Sequence, residues 1–194
     1  TKYNVENGHF TTTNKMNPAQ KKAAENMGIT VYDQFCVNDK LENGTTLRIY
    51  ADRTEVNLPC VMKGRLPEAV DEIALDRMYA ENNELNIGDT IGDGSRTWTV
   101  TGLIALPDYS CLFENNNDSM FDSLKFGVAL VSGESFAQFA EDQYSYTYVW
   151  KYKKEPATET EENEVANDLM DQLGKEISLE TFIPRYLNQA IQFT

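Results

Sequence analysis

No uninterrupted apolar run in this 194-residue chain is longer than four residues; LIAL at 103–106 and VALV at 128–131 are the longest. A bilayer-spanning helix needs about 20 apolar residues, so no segment of this sequence can supply one. A hydrophobic content of 41% is still enough for a real core. That core has to be assembled from many short strands and helices separated by turns, in one domain or two small intertwined subdomains.

Composition narrows the function. The 31 acidic residues against 17 basic ones give a net charge of −14, which repels phosphate backbones and anionic lipid headgroups; nucleic acid is not an expected partner. Cys36, Cys60 and Cys111 are far apart, with no C-x-x-C pair and only His9 to complete a zinc site. Three reduced, mostly buried thiols are expected, with one disulfide plus a thiol as the alternative, and neither a metal nor any other cofactor is expected.

Along the chain, NPAQKKAAENMG at 17–28 has the signals of a short helix. Asn17 is a cap, Pro18 suits the first helical position, Gln20 can bond back, and Gly28 can end the helix in a left-handed turn. ITVYDQFCV and TTLRIYADR then read as strands, with Asn43-Gly44 as turn residues between them. Residues 56–124 have short strands and many turns. After them KFGVALVS reads as a buried strand, SGESFAQFAEDQ as a short helix capped by Ser132, and YSYTYVWKY as an alternating strand. Thr158 and Glu161 form a capping box for a helix with Val165, Ala166, Leu169, Met170 and Leu173 on one face, ending before Gly174. FIPRYLNQAIQFT reads as the start of a further helix at Pro184 that stops without a cap.

The stretch EIALDRMYAENNELNIGDTI at 72–91 is dense in carboxylates. Most of them have structural assignments: Asp76 caps a short helix, Glu81 and Glu84 face water, and Asp89 sits in a turn that needs positive φ at Gly88. Only Glu72 has no evident job. Nothing in the spacing requires a catalytic carboxyl pair.

GRLPEAVDEIALDRMYAENNELNIGDTI followed by WTVTGLIALPDYS resembles the extracytoplasmic domain of FtsX-like, MacB-type ABC transporter permeases. The resemblance is carried by Gly64, Leu66, Pro67, Glu72, Ile73, Leu75, Ala80, Ile87, Gly88, Asp89, Val100 and Gly102, which match a family pattern of G-x-L-P, E-I-x-L, a short helix, I-G-D and a V-x-G strand. It implies an α+β fold, with a βαβ-type porter-like subdomain made from residues 1–55 and 125–194 and an inserted small β-rich subdomain at 56–124. It also implies a domain placed between two membrane helices, on the outer side of the cell membrane, that carries motion and does no chemistry of its own. Its partners would be a cytoplasmic ABC ATPase, a second permease copy, and an extracytoplasmic protein, peptide or lipid. The chain would be the segment between those helices, consistent with its start at Thr1 and its uncapped last helix. The isolated domain is expected to be a monomer.

Other candidates for chemistry are weaker. SGESF at 132–136 lacks the G-x-S-x-G form of a serine nucleophile, and ENNND at 114–118 lacks the spacing of a calcium loop. YSYTYVW sets Tyr144, Tyr146, Tyr148 and Trp150 on one strand face. That face is either packed under the 158–173 helix, the favoured reading, or an aromatic platform for a partner. Two further classes stay open beside the permease domain. A free-standing secreted or cell-surface binding module requires no special placement of its termini, and an acid-dependent hydrolase requires converging carboxylates.

Overall fold

A computed structural model of the protein describes residues 2–109 and 125–185. The elements in chain order are β1 (Gly8–Thr12), α1 (Pro18–Glu25), β2 (Ile29–Asp33), β3 (Cys36–Lys40), β4 (Thr46–Ala51), β5 (Cys60–Gly64), β6 (Glu72–Asp76), α2 (Arg77–Asn82), β7 (Thr90–Gly92) and β8 (Thr97–Ala105). They continue with β9 (Phe126–Val131), α3 (Gly133–Phe136), a 3-10 turn (Glu141–Gln143), β10 (Tyr146–Tyr152), α4 (Glu159–Glu176) and β11 (Leu179–Pro184). The fold is α+β. It divides into a unit of residues 1–4 and 36–144 and a unit of residues 5–35 and 145–194.

The second unit is a β-α-β-β-α-β arrangement. Its four strands lie in the order β11-β1-β10-β2, all neighbours antiparallel, which is the ferredoxin-like topology. Local chemistry explains both helices. The Asn17 side chain accepts the Gln20 amide at 2.8 Å while Gln20 Oε1 accepts the Asn17 amide at 3.0 Å, a reciprocal cap that starts α1. Gly28 then takes φ +85°. Thr158 caps α4 by accepting the Glu161 amide at 3.1 Å. The acids that follow sit where the helix dipole favours negative charge. Ala166, Leu169 and Leu173 are buried, whereas Met170 of the expected stripe is 40% exposed and α4 runs through Gly174 to Glu176.

The core of this unit is aromatic. Phe10, Tyr148 and Trp150 are buried with Ile29, Val31, Leu169 and Leu173. Trp150 stacks on Phe182 with centroids 4.7 Å apart, and the Tyr148 hydroxyl accepts the Met16 amide at 2.8 Å. The helix-covered reading of this strand is therefore the one realised for Tyr148 and Trp150, and no four-ring platform faces solvent. Tyr146 is half-buried against Phe35. Tyr144 precedes the strand and belongs to the other unit, where its ring lies 4.9 Å from that of Phe136.

The first unit is built on a seven-stranded mixed sheet in the order β3-β4-β9-β6-β8-β5, with β7 also paired to β8. The division between units falls at 35/36 and 144/145 instead of the expected 55/56 and 124/125. The reason lies at Gln34-Phe35. ITVYDQFCV is not one strand: β2 ends at Asp33, the Gln34 amide donates to Thr147 O at 2.9 Å, and the Phe35 ring is held edge-on by Tyr146 and Tyr148. The chain then leaves as β3, which pairs with β4, and β4 pairs in parallel with β9 from Thr46↔Phe126 to Ala51↔Val131. Three strands expected in the porter-like part thus belong to the larger sheet. FIPR also departs from expectation, because the chain is a strand through Pro184, paired with Gly8 on β1. The rest of the expected final helix lies outside the described residues.

Trp150 is fully buried, so Trp150→Ala is expected to cost roughly 3–5 kcal/mol, the cost of large aromatic truncations in a core. Thermal and urea unfolding measure it, and a melting temperature equal to wild type would contradict the packing described.

Candidate functional site

The residues that carried the family resemblance are drawn together in the first unit, around the junction of β5, β6, α2 and β8. Gly64 and Gly102 are directly paired across β5 and β8. A Cβ on Gly64 would lie 2.2 Å from Thr101 O, and one on Gly102 would lie 2.2 Å from Arg65 O. Gly64 in addition has φ +70°. Both positions exclude any side chain, because backbone stands where the Cβ would be.

Glu72, unassigned from sequence, organises the loop before β6. Its carboxylate accepts the amides of Glu68 and Ala69, each at 2.9 Å, and forms a two-pronged pair with Arg65. The Arg65 guanidinium, with those two amides, holds the Glu72 carboxyl down at about 2. Leu66-Pro67 spans the loop that these bonds fix. Ile73 and Leu75 are fully buried on β6, and so is Ala80 on α2. Asp76 caps α2 by accepting the Tyr79 amide at 3.1 Å, and burial pushes its carboxyl up to about 6.

The turn after α2 closes the motif. Gly88 has φ +96° and donates its amide to Val100 O at 2.8 Å. Val100 returns a 2.8 Å bond to Asp89 O, and the Asp89 carboxylate accepts the Asn86 amide at 2.7 Å. Ile87 reaches back over Gly64, where its Cδ1 would be 2.6 Å from an added Cβ. Each of the twelve residues thus has a place in one scaffold.

Next to this scaffold is an open groove of about 470 Å³, with Ala80 and Leu103 at its base, Met62 and Leu85 beside them, and Lys63, Arg77, Glu81 and Glu84 among the lining. Of six large apolar side chains exposed among the described residues, Val61, Met62, Met78 and Ile87 come from β5, α2 and the following turn. Such a concentration marks a surface that can take an apolar group within a mixed-charge border. β5 lies at the sheet edge, and the register shift between Val61 and Lys63 twists it, which blunts strand addition.

Two polar clusters were not legible in the sequence. In one, Arg53 and Asp108, both buried, form a bidentate pair at 2.5 and 3.0 Å, with the Arg53 guanidinium 4.5 Å from the Tyr50 ring centroid. Tyr50 and Tyr109 share a hydroxyl hydrogen bond at 2.5 Å, and Arg48 donates to Tyr109 at 3.1 Å. Burial pushes the Tyr109 hydroxyl up to about 12. In the other, Asp39 and Asp93 come together beside Arg96. No local spacing signals either cluster, because the bonds that join its two halves, such as Arg53–Asp108, Tyr50–Tyr109 and Asp39–Asp93, link residues far apart in the chain.

The remaining sequence candidates have structural roles. Ser132 caps α3, and buried Ser135 accepts hydrogen bonds from Arg96 at 2.5 Å and Trp98 at 3.2 Å. His9 pairs with Glu6 at 2.7 Å in the other unit. Cys36 is buried and Cys60 half-buried, both as thiols. Cys111 and the 114–118 loop lie outside the described residues. Among the described residues no group of His, Cys, Asp and Glu is arranged to hold a metal.

No protein-family profile matches the chain, and comparison with curated proteins gives no significant match. Among solved structures, the chain is similar to the periplasmic region of MacB from Actinobacillus actinomycetemcomitans, at 12% identity and a TM-score of 0.46, covering 97% of this chain and 94% of that one. It is also similar to the extracellular domain of the noncanonic ABC-type transporter YknZ from Gram-positive bacteria, at 14% identity and a TM-score of 0.39, covering 90% and 98%.

Two predictions follow from the scaffold geometry. Nothing lies within 4 Å of a Cβ on Gly88, so Gly88→Ala costs only its positive φ, about 1 kcal/mol. Gly102→Ala drives a Cβ into the Arg65 backbone and is expected to cost more, roughly 1–3 kcal/mol or above. Denaturant midpoints of the two variants give the order, and the reverse order would refute the close approach. For Glu72, a lowered carboxyl pKa means a stabilising contribution present above the ordinary value of 4.5 and lost as pH falls toward 2. Glu72→Gln should flatten that part of the stability profile, and a parallel profile would show that the Arg65 pair contributes nothing.

Proposed function

We propose that this chain is an outward-facing domain of an ABC-type permease, passing ATPase-driven motion to an extracytoplasmic partner or substrate without chemistry of its own. The observation that carries this reading over a free-standing binding module is where the chain enters and leaves the second unit. β1 and β11 are neighbours, and the Arg185 amide donates to Asn7 O at 2.7 Å. Asn7 and Arg185 of that unit therefore run side by side, the proximity that a domain placed between two membrane helices needs, while residues 1–4 before them belong to the larger unit. The scaffold from Gly64 to Gly102 adds support, since the residues of the resemblance come together there around the Gly64–Gly102 approach, the Glu72 loop and the Gly88 turn. In this reading the partners are a cytoplasmic ABC ATPase and a second permease copy. The groove beside β5, which sets Met62, Ala80, Leu85 and Leu103 among charged side chains, is the surface offered to a protein, peptide or lipid outside the cell.

Labelling of the full gene product tests it. Asp142 is exposed, so Asp142→Cys, on a background in which every cysteine of the full gene product, Cys36, Cys60 and Cys111 included, is changed to Ser, provides a single reporter thiol. A membrane-impermeant maleimide should modify it in spheroplasts without lysis, on a protein that sediments with the membranes. Modification only after lysis would overturn the outward placement. Recovery of the labelled protein in the soluble extracellular fraction would instead favour the binding module.

A further inference from the structure

The seven-stranded sheet has two outer sides, and they meet. β3 is the strand at one end of the order. At the other side β7 flanks β8, because Thr99 pairs with Glu72 of β6 and with Thr90 of β7 on opposite edges. Just beyond β3, the Glu42 amide donates to Gly92 O of β7 at 2.9 Å. The sheet therefore curls until its first strand touches the β7–β8 hairpin, and a seam is left between them.

Asp39, near the end of β3, and Asp93, in the turn after β7, bring their carboxyl groups within hydrogen-bonding reach of each other across that seam. Two carboxyl groups can share a hydrogen bond only if one is protonated. Local geometry decides which one. Asp93 Oδ1 accepts the amides of Ser95 at 2.8 Å and Arg96 at 2.7 Å, so Asp93 is the carboxylate and Asp39 keeps the proton. Asp39 Oδ2 is buried with no hydrogen-bond partner among the described residues, an arrangement tolerable for a neutral carboxylic acid and costly for an anion.

The other neighbours do not replace the proton. Arg96 is the cation facing the pair, but its guanidinium lies 4.7 Å from the Trp98 ring centroid and 4.6 Å from that of Phe139, its Nη2 donates to Ser135, and its Nη1 is buried without a hydrogen-bond partner, so among the described residues it forms no ion pair with either carboxyl group. β4 places uncharged Leu47 opposite Asp39. Glu42 on the β3 side comes close to Gly94 of the turn, adding negative charge to the seam.

We propose that the Asp39–Asp93 pair is a proton latch on the seam of the larger sheet, holding the end of β3 to the β7–β8 turn while the shared proton is bound and loosening it when the proton leaves to solvent. Loss of the proton breaks the Asp39 O–H to Asp93 hydrogen bond and leaves two carboxylates facing each other in a half-buried site. Burial, then the Asp93 hydrogen bond and charge, raise the Asp39 carboxyl to about 7. A raised carboxyl pKa stabilises the closed seam fully below its ordinary value of 3.8, and that contribution is lost as pH rises through about 7. The latch is thus closed in mild acid and weak above neutrality. It rests on the fold and is independent of the transporter reading.

Amide hydrogen exchange of Glu42, corrected for intrinsic rates, reads the seam directly. In the 194-residue chain, Asp39→Asn keeps a donor to Asp93 at every pH. The ratio of wild-type to Asp39→Asn protection at Glu42 should therefore fall about tenfold between pH 5 and pH 8, a shift reduced from the full linkage value because Asp39 is partly solvated. Asp93→Asn should abolish the same pH dependence by letting residue 93 donate to an ionised Asp39, which keeps the test alive if the first variant does not fold. A protection ratio that stays constant from pH 5 to pH 8 in either variant would overturn the latch.

Discussion

Backbone lying on backbone at Gly64 and Gly102 is the contact on which the larger unit depends. β5 can approach β8 there only because neither residue has a Cβ, and Thr101 O and Arg65 O occupy the space a side chain would need. The close approach fixes where Arg65 stands, and Arg65 in turn faces Glu72, whose carboxylate gathers the Glu68 and Ala69 amides. That loop delivers β6 into the centre of the sheet, and α2 follows at once from the Asp76 cap. Tyr79 on α2 then packs over Gly127 of β9, where a Cβ would lie 2.4 Å from the ring, and its hydroxyl meets Thr45 Oγ1 at 2.6 Å. One glycine pair thus propagates through a salt bridge, a loop and a helix cap to the opposite side of the sheet.

The sequence displayed the local parts of this chain of contacts and hid its long-range parts. Helix caps at Asn17, Asp76, Ser132 and Thr158 involve residues three apart, so their geometry was legible, as was the positive φ of Gly88. The strand ITVYDQFCV misled because β-branched and aromatic residues run on without a glycine or proline, while the break at Gln34-Phe35 is made by tertiary bonds to Thr147 and Tyr146. Parallel pairing of β4 with β9, 80 positions later in register, likewise has no local signature. Of the site, the scaffold residues were visible as a pattern, whereas the groove, the Arg53–Asp108 pair and the Asp39–Asp93 contact exist only after folding.

The polar interior of the larger unit follows one rule. Arg53 is charged in a buried setting because Asp108 matches both prongs of its guanidinium and Asn57 O takes a further bond at 3.2 Å. Removing either partner strands a charge, so the pair fixes the end of β4 relative to the segment after β8 more by the penalty for separation than by net attraction. Tyr50 and Tyr109 extend the same logic to hydroxyls, which satisfy each other and Arg48.

The acidic excess gives the seam its sensitivity. A chain with a net charge of −14 holds every carboxyl in a negative field that favours proton binding. Over most of the surface water screens this field; the acids at the start of α4 are exposed, apart from Glu162, and lie where a helix dipole offsets them. Glu72 escapes it through Arg65 and two amides. Asp39 has no such compensation, because the nearest amides are committed to Asp93 and the nearest guanidinium is spread over two rings and a serine. Where the backbone donors are engaged by one carboxylate and the nearby cation pairs with neither, the neighbouring carboxyl is neutralised by a proton. The seam is therefore the place in this unit where the chain's charge and its backbone geometry meet in one titrating group.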